Sequence, residues 1–227
     1  LPISLTHPDP EICRKALQSL QSASLIYEKT PDGRHLLFEP HFPEPRLIIL
    51  GGGHIAQPLT EFAAKAGFSV IVLDDRPAFA DADRFPLAHE ILCESFSRLS
   101  SCLLFNPADY VVIITRGHRH DLDCLRQVLE IRTAYVGMIG SRRRVKNAWE
   151  QLLAEGCSRE RLTQVHAPIG LAIGAISPTE IAISILAQLI SVRRLGQPET
   201  GSAMCNRLDS DPAVIVALAV VFTVCWA

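Results

Sequence analysis

Residues able to hold a phosphorylated ligand recur in four short clusters along this 227-residue chain. The first is Gly51-Gly52-Gly53-His54-Ile55 and the second is Asp74-Asp75-Arg76. The third is Thr115-Arg116-Gly117-His118, and the fourth is Gly140-Ser141-Arg142-Arg143. Glycines let backbone N–H groups approach a phosphate, guanidinium groups neutralise it, and an acid after a strand accepts a ribose hydroxyl. These residue types suit the binding of an anionic, nucleotide-like ligand. Their spacing forms neither a nucleophile triad nor a serine elbow, so no catalytic residue is assigned.

The elements that must position these clusters follow from the apolar runs before them. Residues 47–50 read as a buried parallel strand that breaks into the glycines. Gly51, Gly53 and Ala56 fill the three small positions of a dinucleotide-binding turn: a tight bend, backbone approach to phosphate, and close helix–strand packing. Further strands are predicted over 69–73, 89–93, 110–115 and 134–138, and helices over 54–66, 120–131, 142–155 and 178–194. Alternation of this kind predicts an α/β fold, a Rossmann-like parallel sheet with helices on both faces. All four clusters would then gather at the carboxyl edge of that sheet, where open parallel sheets bind ligands.

Each cluster also has a plainer reading. His54 either contacts ligand or caps the helix it precedes. Asp74, at the strand end, is the better placed of two acids to receive a 2′-hydroxyl. In residues 115–121, either His118 or Arg116 meets a polar ligand with Asp121 orienting one of them, or Thr115 and Asp121 merely cap neighbouring structure. Ser141 is an N-cap in either case, with Arg142 and Arg143 turned to an anion or to water. Ser177, Pro178 and Glu180 form a capping-box start for the last helix. The glycine-containing run 168–175 either closes over the cleft or forms a tight structural turn, and its spacing favours the turn.

Bulk properties narrow the classes. A net charge of −2 excludes the basic footprint of a nucleic-acid binder. Seven cysteines without a C-x-x-C pair suggest neither a zinc site nor a disulfide framework, so reduced thiols in the cytoplasm are expected. Three parts are expected: residues 1–45 as the remnant of an N-terminal domain and linker, 46–195 as the Rossmann domain, and 196–227 as a loop and apolar tail. The first holds a helix near 11–22, a hairpin from 23–27 and 35–39 turned at Pro31-Asp32-Gly33, and a linker marked by Pro40, Pro43 and Pro45. The apolar stretch 213–227 falls short of the roughly 20 residues that span a bilayer. It reads as truncated or artefactual rather than as a membrane anchor. The start at Leu1 rather than Met fits a fragment or a processed product.

Together GGGHIA, LDDRPAFADADRFP, ITRGHRHD, YVGMIGSRRR and HAPIGLAIGAISPTEIAISILAQL resemble the XdhC/CoxI family, accessory factors for xanthine dehydrogenase and related molybdenum hydroxylases. The resemblance covers about residues 37–194 and concerns the family's C-terminal Rossmann domain. It implies a cofactor carrier and insertion factor that binds molybdenum cofactor, as molybdopterin or its dinucleotide form. It also implies protection of that cofactor, promotion of oxo-to-sulfido exchange by a cysteine desulfurase, and delivery to an apo molybdenum hydroxylase. A homodimer is plausible for the family. By resemblance Gly51, Gly53, His54, Asp74, Arg76, Arg116, His118, Gly140 and Ser141 line the ligand cleft. Many relatives carry acids where Ala172, Ile176 and Gln188 stand here, and the family's N-terminal domain is almost entirely missing. An NAD(P)-dependent oxidoreductase and a nucleotide-sensing regulatory module share the same fold and are the alternatives.

Overall fold

In a computed structural model the described residues are 10–22, 24–30, 33–40, 44–195 and 219–223. They divide into two compact units, one joining Leu1–Pro43 with Gly196–Ala227 and the other spanning Glu44–Leu195.

In the first unit, helix α1 (Pro10–Ser22) precedes strands β1 (Ile26–Lys29) and β2 (His35–Pro40). The two strands pair antiparallel with Ile26 opposite Phe38 and Lys29 opposite His35. The hairpin is therefore shifted from the expected 23–27 start. Gly33, at φ 84°, closes the turn by donating from its N–H to Thr30 O, while Pro31 and Asp32 lie outside the described residues. Ser19 of α1 is buried and its hydroxyl donates to Phe38 O. Within the apolar tail, Ala219–Thr223 (β9 in chain order) pairs antiparallel with β2. Pro43 and the rest of the tail lie outside the described residues.

The second unit runs β3 (Arg46–Leu50), α2 (Ala56–Lys65), β4 (Ser69–Asp74), β5 (Glu90–Cys93), α3 (Leu99–Cys102), β6 (Tyr110–Ile113), α4 (His118–Leu129), β7 (Tyr135–Met138), α5 (Arg142–Ala154), α6 (Arg159–Thr163), β8 (Val165–His166) and α7 (Pro178–Leu195). Its six strands are all parallel in the order β5-β4-β3-β6-β7-β8. Chain order thus runs outward from β3 in one direction, then returns to β6 on its other side. This is the doubly wound Rossmann order, with its switch point between β3 and β6.

Strand residues alternate between two cores, as a pleated strand must. Ile48, Leu50, Val111 and Ile113 face α4 and α5, packing with Leu125 and Leu152. Leu47, Ile49, Tyr110 and Val112 face α2 and α7, packing with Leu59 and Ile185. With both faces covered, the strands carry uninterrupted apolar runs. Helix α7 starts as its sequence predicts: Glu180 N–H donates to Ser177 Oγ, and the Glu180 carboxylate accepts from the Ser177 and Ile176 N–H groups. Those backbone hydrogen bonds hold the exposed Glu180 carboxyl below its usual range. The 168–175 run packs back on α7, where Gly170 N–H donates to Gln188 Oε1 and the Ser184 hydroxyl donates to Leu171 O. Gln188 also accepts from Tyr135 Oη at 2.7 Å, so it is a packing link in this chain.

Among the described residues no helix is long and apolar enough to cross a membrane. The five described cysteines are unpaired, and burial pushes the Cys124 thiol far up.

Candidate functional site

The ladder continues past the strand ends and sets four loops side by side. Gly51 N–H donates to Leu73 O, Ile114 N–H to Leu50 O, and Ile139 N–H to Ile113 O, each at 2.7–2.9 Å. The segments after β4, β3, β6 and β7 therefore share one edge of the sheet.

The three consecutive glycines have three separate jobs. Gly51 sits at φ 116°, and a Cβ there would lie 2.5 Å from Ile114 O. Its conformation and its surroundings both demand glycine. Gly52 is hemmed in by Phe79, whose carbonyl oxygen would lie 2.5 Å from an added Cβ. At Gly53 an added Cβ meets nothing within 4 Å, so this face of the turn is open. The N–H groups of Gly53, His54 and Ile55 donate to no group among the described residues, whereas Gly51 and Gly52 donate to Leu73 O and Asp74. Three successive free N–H groups ahead of α2 form a concavity suited to an oxyanion. His54 does not cap the helix: the cap position is Ile55, with no side-chain hydrogen bond. The helix begins at Ala56, two residues later than predicted, because residues 54 and 55 form a turn.

Asp74 takes a different part from the one its position suggests. Its side chain is 1% exposed and both oxygens are engaged within the protein. Oδ2 accepts from Gly52 N–H at 2.8 Å and from Arg76 Nη2 at 3.0 Å, while Oδ1 accepts from Arg76 N–H and Nε. Burial works to raise its pKa, but these hydrogen bonds outweigh it and hold the carboxyl below the usual range. The acid expected to receive a ribose hydroxyl instead fastens the glycine turn. Arg76 lies over the Phe79 ring at 3.5 Å.

Asp75, set second in the sequence reading, is the more accessible acid. It grips Arg116 through two hydrogen bonds of 2.6 and 3.0 Å. Because β4 and β6 lie on either side of β3, this pair spans the end of β3, where the glycine turn begins. Asp121 is almost fully buried in the first turn of α4, which starts at His118 rather than at residue 120. Its carboxylate holds Thr115 and Arg144, the Thr115 hydroxyl donating to Oδ1 at 2.5 Å and Arg144 to Oδ2 at 3.1 Å. Arg116 pairs with Asp75 instead, and the His118 side chain lies outside the described residues. Thr115 also accepts from Gly117 N–H. Ser141 caps α5 by accepting from Arg144 N–H, directly after Gly140.

The structure therefore brings residues 51–55, 74–76, 115–118 and 140–141 to one edge. Arg142 and Arg143 are both exposed. Arg142 lines a separate cleft of about 530 Å³ with Trp149, Arg159 and Pro168, sharing no residue with the glycine turn. Sequence reasoning missed Phe79 and Arg84. Arg84 follows Asp81, which caps a single turn of 3-10 helix (Ala82–Arg84), and donates to Gly52 O at 3.2 Å. The D-x-D run at 81–83 is the signal that could have found this turn. Among the described residues no group of three or more His, Cys, Asp or Glu side chains could hold a metal ion.

Comparison with known proteins adds the following. A family model described as the XdhC Rossmann domain matches residues 47–189. The chain is 36% identical over 152 residues to a probable xanthine dehydrogenase subunit of Bacillus subtilis (strain 168), covering 67% of this chain and 44% of that one. It is 34% identical over 154 residues to the uncharacterized protein YqeB of Escherichia coli (strain K12), covering 67% and 28%. It is 29% identical over 157 residues to the molybdenum cofactor insertion chaperone PaoD of the same organism, covering 69% and 43%. The matched region thus spans less than half of each of these relatives. A crystal structure titled as a xanthine dehydrogenase from Bacillus halodurans superposes with a TM-score of 0.64 at 26% identity, covering 85% of this chain and 66% of that one.

Proposed function

The chain belongs to the XdhC Rossmann domain family, and on that premise we propose that its Glu44–Leu195 unit carries molybdenum cofactor as cargo for a xanthine dehydrogenase-type hydroxylase. The cofactor supplies the hydroxylase with its molybdenum redox centre. The observation that carries the reading is the open Gly53 face with three free N–H groups. A phosphate or pyrophosphate end fits that donor set, since it is rich in N–H and already closed to a ribose acid. The insertion chaperone PaoD, 29% identical, is consistent with this role.

The rim also suits carriage better than chemistry. Asp74, Asp75 and Asp121 are each engaged by a guanidinium or a hydroxyl, which leaves none of them as a free general base. The same engagement of Asp74 weakens the NAD(P) reading, because its oxygens are taken by Gly52 and Arg76.

The test is retention of cofactor released from a purified molybdoenzyme, followed through gel filtration by fluorescence of the oxidised pterin. Wild-type chain should retain the pterin in preference to NAD. Gly53→Val should lower retention about tenfold or more, the loss of one or two charge-assisted hydrogen bonds, with the fold intact. Equal retention by Gly53→Val, or preference for NAD, would overturn the proposal.

A further inference from the structure

Three side-chain polar atoms among the described residues are buried without a hydrogen-bond partner: Thr60 Oγ1, Arg84 Nε and Arg193 Nε. A buried donor left unpaired carries its full desolvation penalty, so each such atom calls for an explanation. Two of the three, on Thr60 and Arg84, belong to residues lining one cleft of about 600 Å³ between α2 and the segment 84–87. Thr60 comes from the second turn of α2 and is 2% exposed. Arg84 comes from the far side, after the single turn capped by Asp81.

The charge around Arg84 is also unbalanced. Arg76 and Arg116, on neighbouring loops, and Arg144, in the first turn of α5, each hold a carboxylate. Arg84 is half-buried and instead donates Nη2 to two neutral oxygens, Gly52 O at 3.2 Å and Gln57 Oε1 at 3.3 Å. Its guanidinium is fixed over the Phe79 ring at 4.9 Å. The one acid among the lining residues, Glu61, is bound by Lys65 at 2.6 Å. The remaining walls are His54 of the glycine turn, Pro58, an apolar strip of Phe85, Pro86 and Leu87, and the polar Thr179.

We propose that this cleft binds a small organic anion. Its carboxylate or phosphate oxygens would accept from Arg84 Nε–H and from the Thr60 hydroxyl once side-chain rotation brings these solvent-shielded donors to the cleft surface, and its apolar body would lie on Phe85 and Leu87. The anion supplies the acceptor that both donors lack and the negative charge that Arg84 lacks. Because Arg84 also holds Gly52 O, the site adjoins the glycine turn while using different donors. The assignment does not depend on what the glycine turn carries.

Calorimetry on the full chain with two probes, inorganic phosphate and benzoate, tests the proposal and separates a phosphate-bearing ligand from a carboxylate. Binding of either probe is expected, and which one binds identifies the class. Arg84→Lys keeps the charge but removes Nε–H, and Thr60→Val removes the hydroxyl at nearly constant shape. Each should weaken binding about tenfold or more, as loss of a hydrogen bond to a charged group does. Thr60→Val should leave the melting temperature unchanged or raise it, because no intramolecular hydrogen bond is lost. Gly53→Val should leave binding in this cleft within twofold, even where it abolishes pterin retention at the turn. The proposal falls if neither probe binds at millimolar concentration, or if both variants bind as wild type does. It also falls if Thr60→Val unfolds the chain, or if Gly53→Val removes the binding.

Discussion

Alanine substitutions at the three adjacent glycines should separate folding from ligand handling. At Gly51 the added methyl meets Ile114 O at 2.5 Å, Ile114 C at 2.8 Å and Thr115 Cα at 3.0 Å, all of them backbone. Those atoms cannot easily retreat, because Ile114 N–H is bonded to Leu50 O. Overpacking of this kind costs about 1–3 kcal/mol, and a non-glycine residue forced to φ near 116° adds about 1–3 kcal/mol. Gly51→Ala should therefore lose about 2–6 kcal/mol, or about 4–24 °C in melting temperature for a unit of this size. Gly52→Ala escapes the backbone strain but still meets Phe79 O at 2.5 Å, so about 1–3 kcal/mol is expected. Gly53→Ala meets nothing and has no positive φ. It should stabilise by about 0.4–1 kcal/mol through the unfolded chain. Thermal and urea unfolding of the three variants, followed by circular dichroism, gives the ranking directly. A Gly53→Ala loss as large as that of Gly51→Ala would refute the assignment of the open face.

Three further outcomes follow from the carboxylates. Asp74→Asn should cost about 2–4 kcal/mol, because it removes the charge that holds Arg76 and the Gly52 N–H; urea unfolding measures it. The Asp74 carboxyl is depressed in the fold, so its contribution is complete above its ordinary value of 3.8 and is lost as pH falls through the lower folded value. Wild-type stability should thus drop more steeply below about pH 4 than that of Asp74→Asn, and parallel curves would contradict this. Asp109 is fully buried at the opposite edge of the sheet, accepting from Arg46 Nε and Nη2 and from Asn106 N–H. Asp109→Ala should cost about 3 kcal/mol yet leave pterin retention by the folded fraction unchanged.

Much of the fold was legible because the sheet is buried on both faces. Runs such as Leu47, Ile48, Ile49, Leu50 have no polar residue to obscure a strand, and Ser177 with Glu180 announces a helix start. Strand β8 was missed because two residues, Val165 and His166, carry no periodicity. Helices α3 and α6, at four and five residues, are likewise too short to show a repeat. The clusters of the site were legible as a convergence of loops. The division of labour within them was not, because it depends on neighbours distant in sequence. Asp74 and Asp75 look alike in the chain, and only Gly52 on one side and Arg116 on the other tell them apart. The Asp81–Asp83 run marks the turn that carries Arg84, but the part Arg84 plays rests on the carboxylate it lacks and left no mark in the sequence.

Under the proposed carrier role, the Asp75–Arg116 pair that crosses the end of β3 bears on how a passenger would be picked up and set down. On that reading an anion arriving at Arg116 would displace a carboxylate already seated there, so one ionic contact would be traded for another. Half-exposed pairs are individually weak, and the trade is close to neutral in both directions. Departure then leaves no bare cation behind, because Asp75 returns to its place. Such a swap favours reversible handling over tight storage, and makes it sensitive to ionic strength.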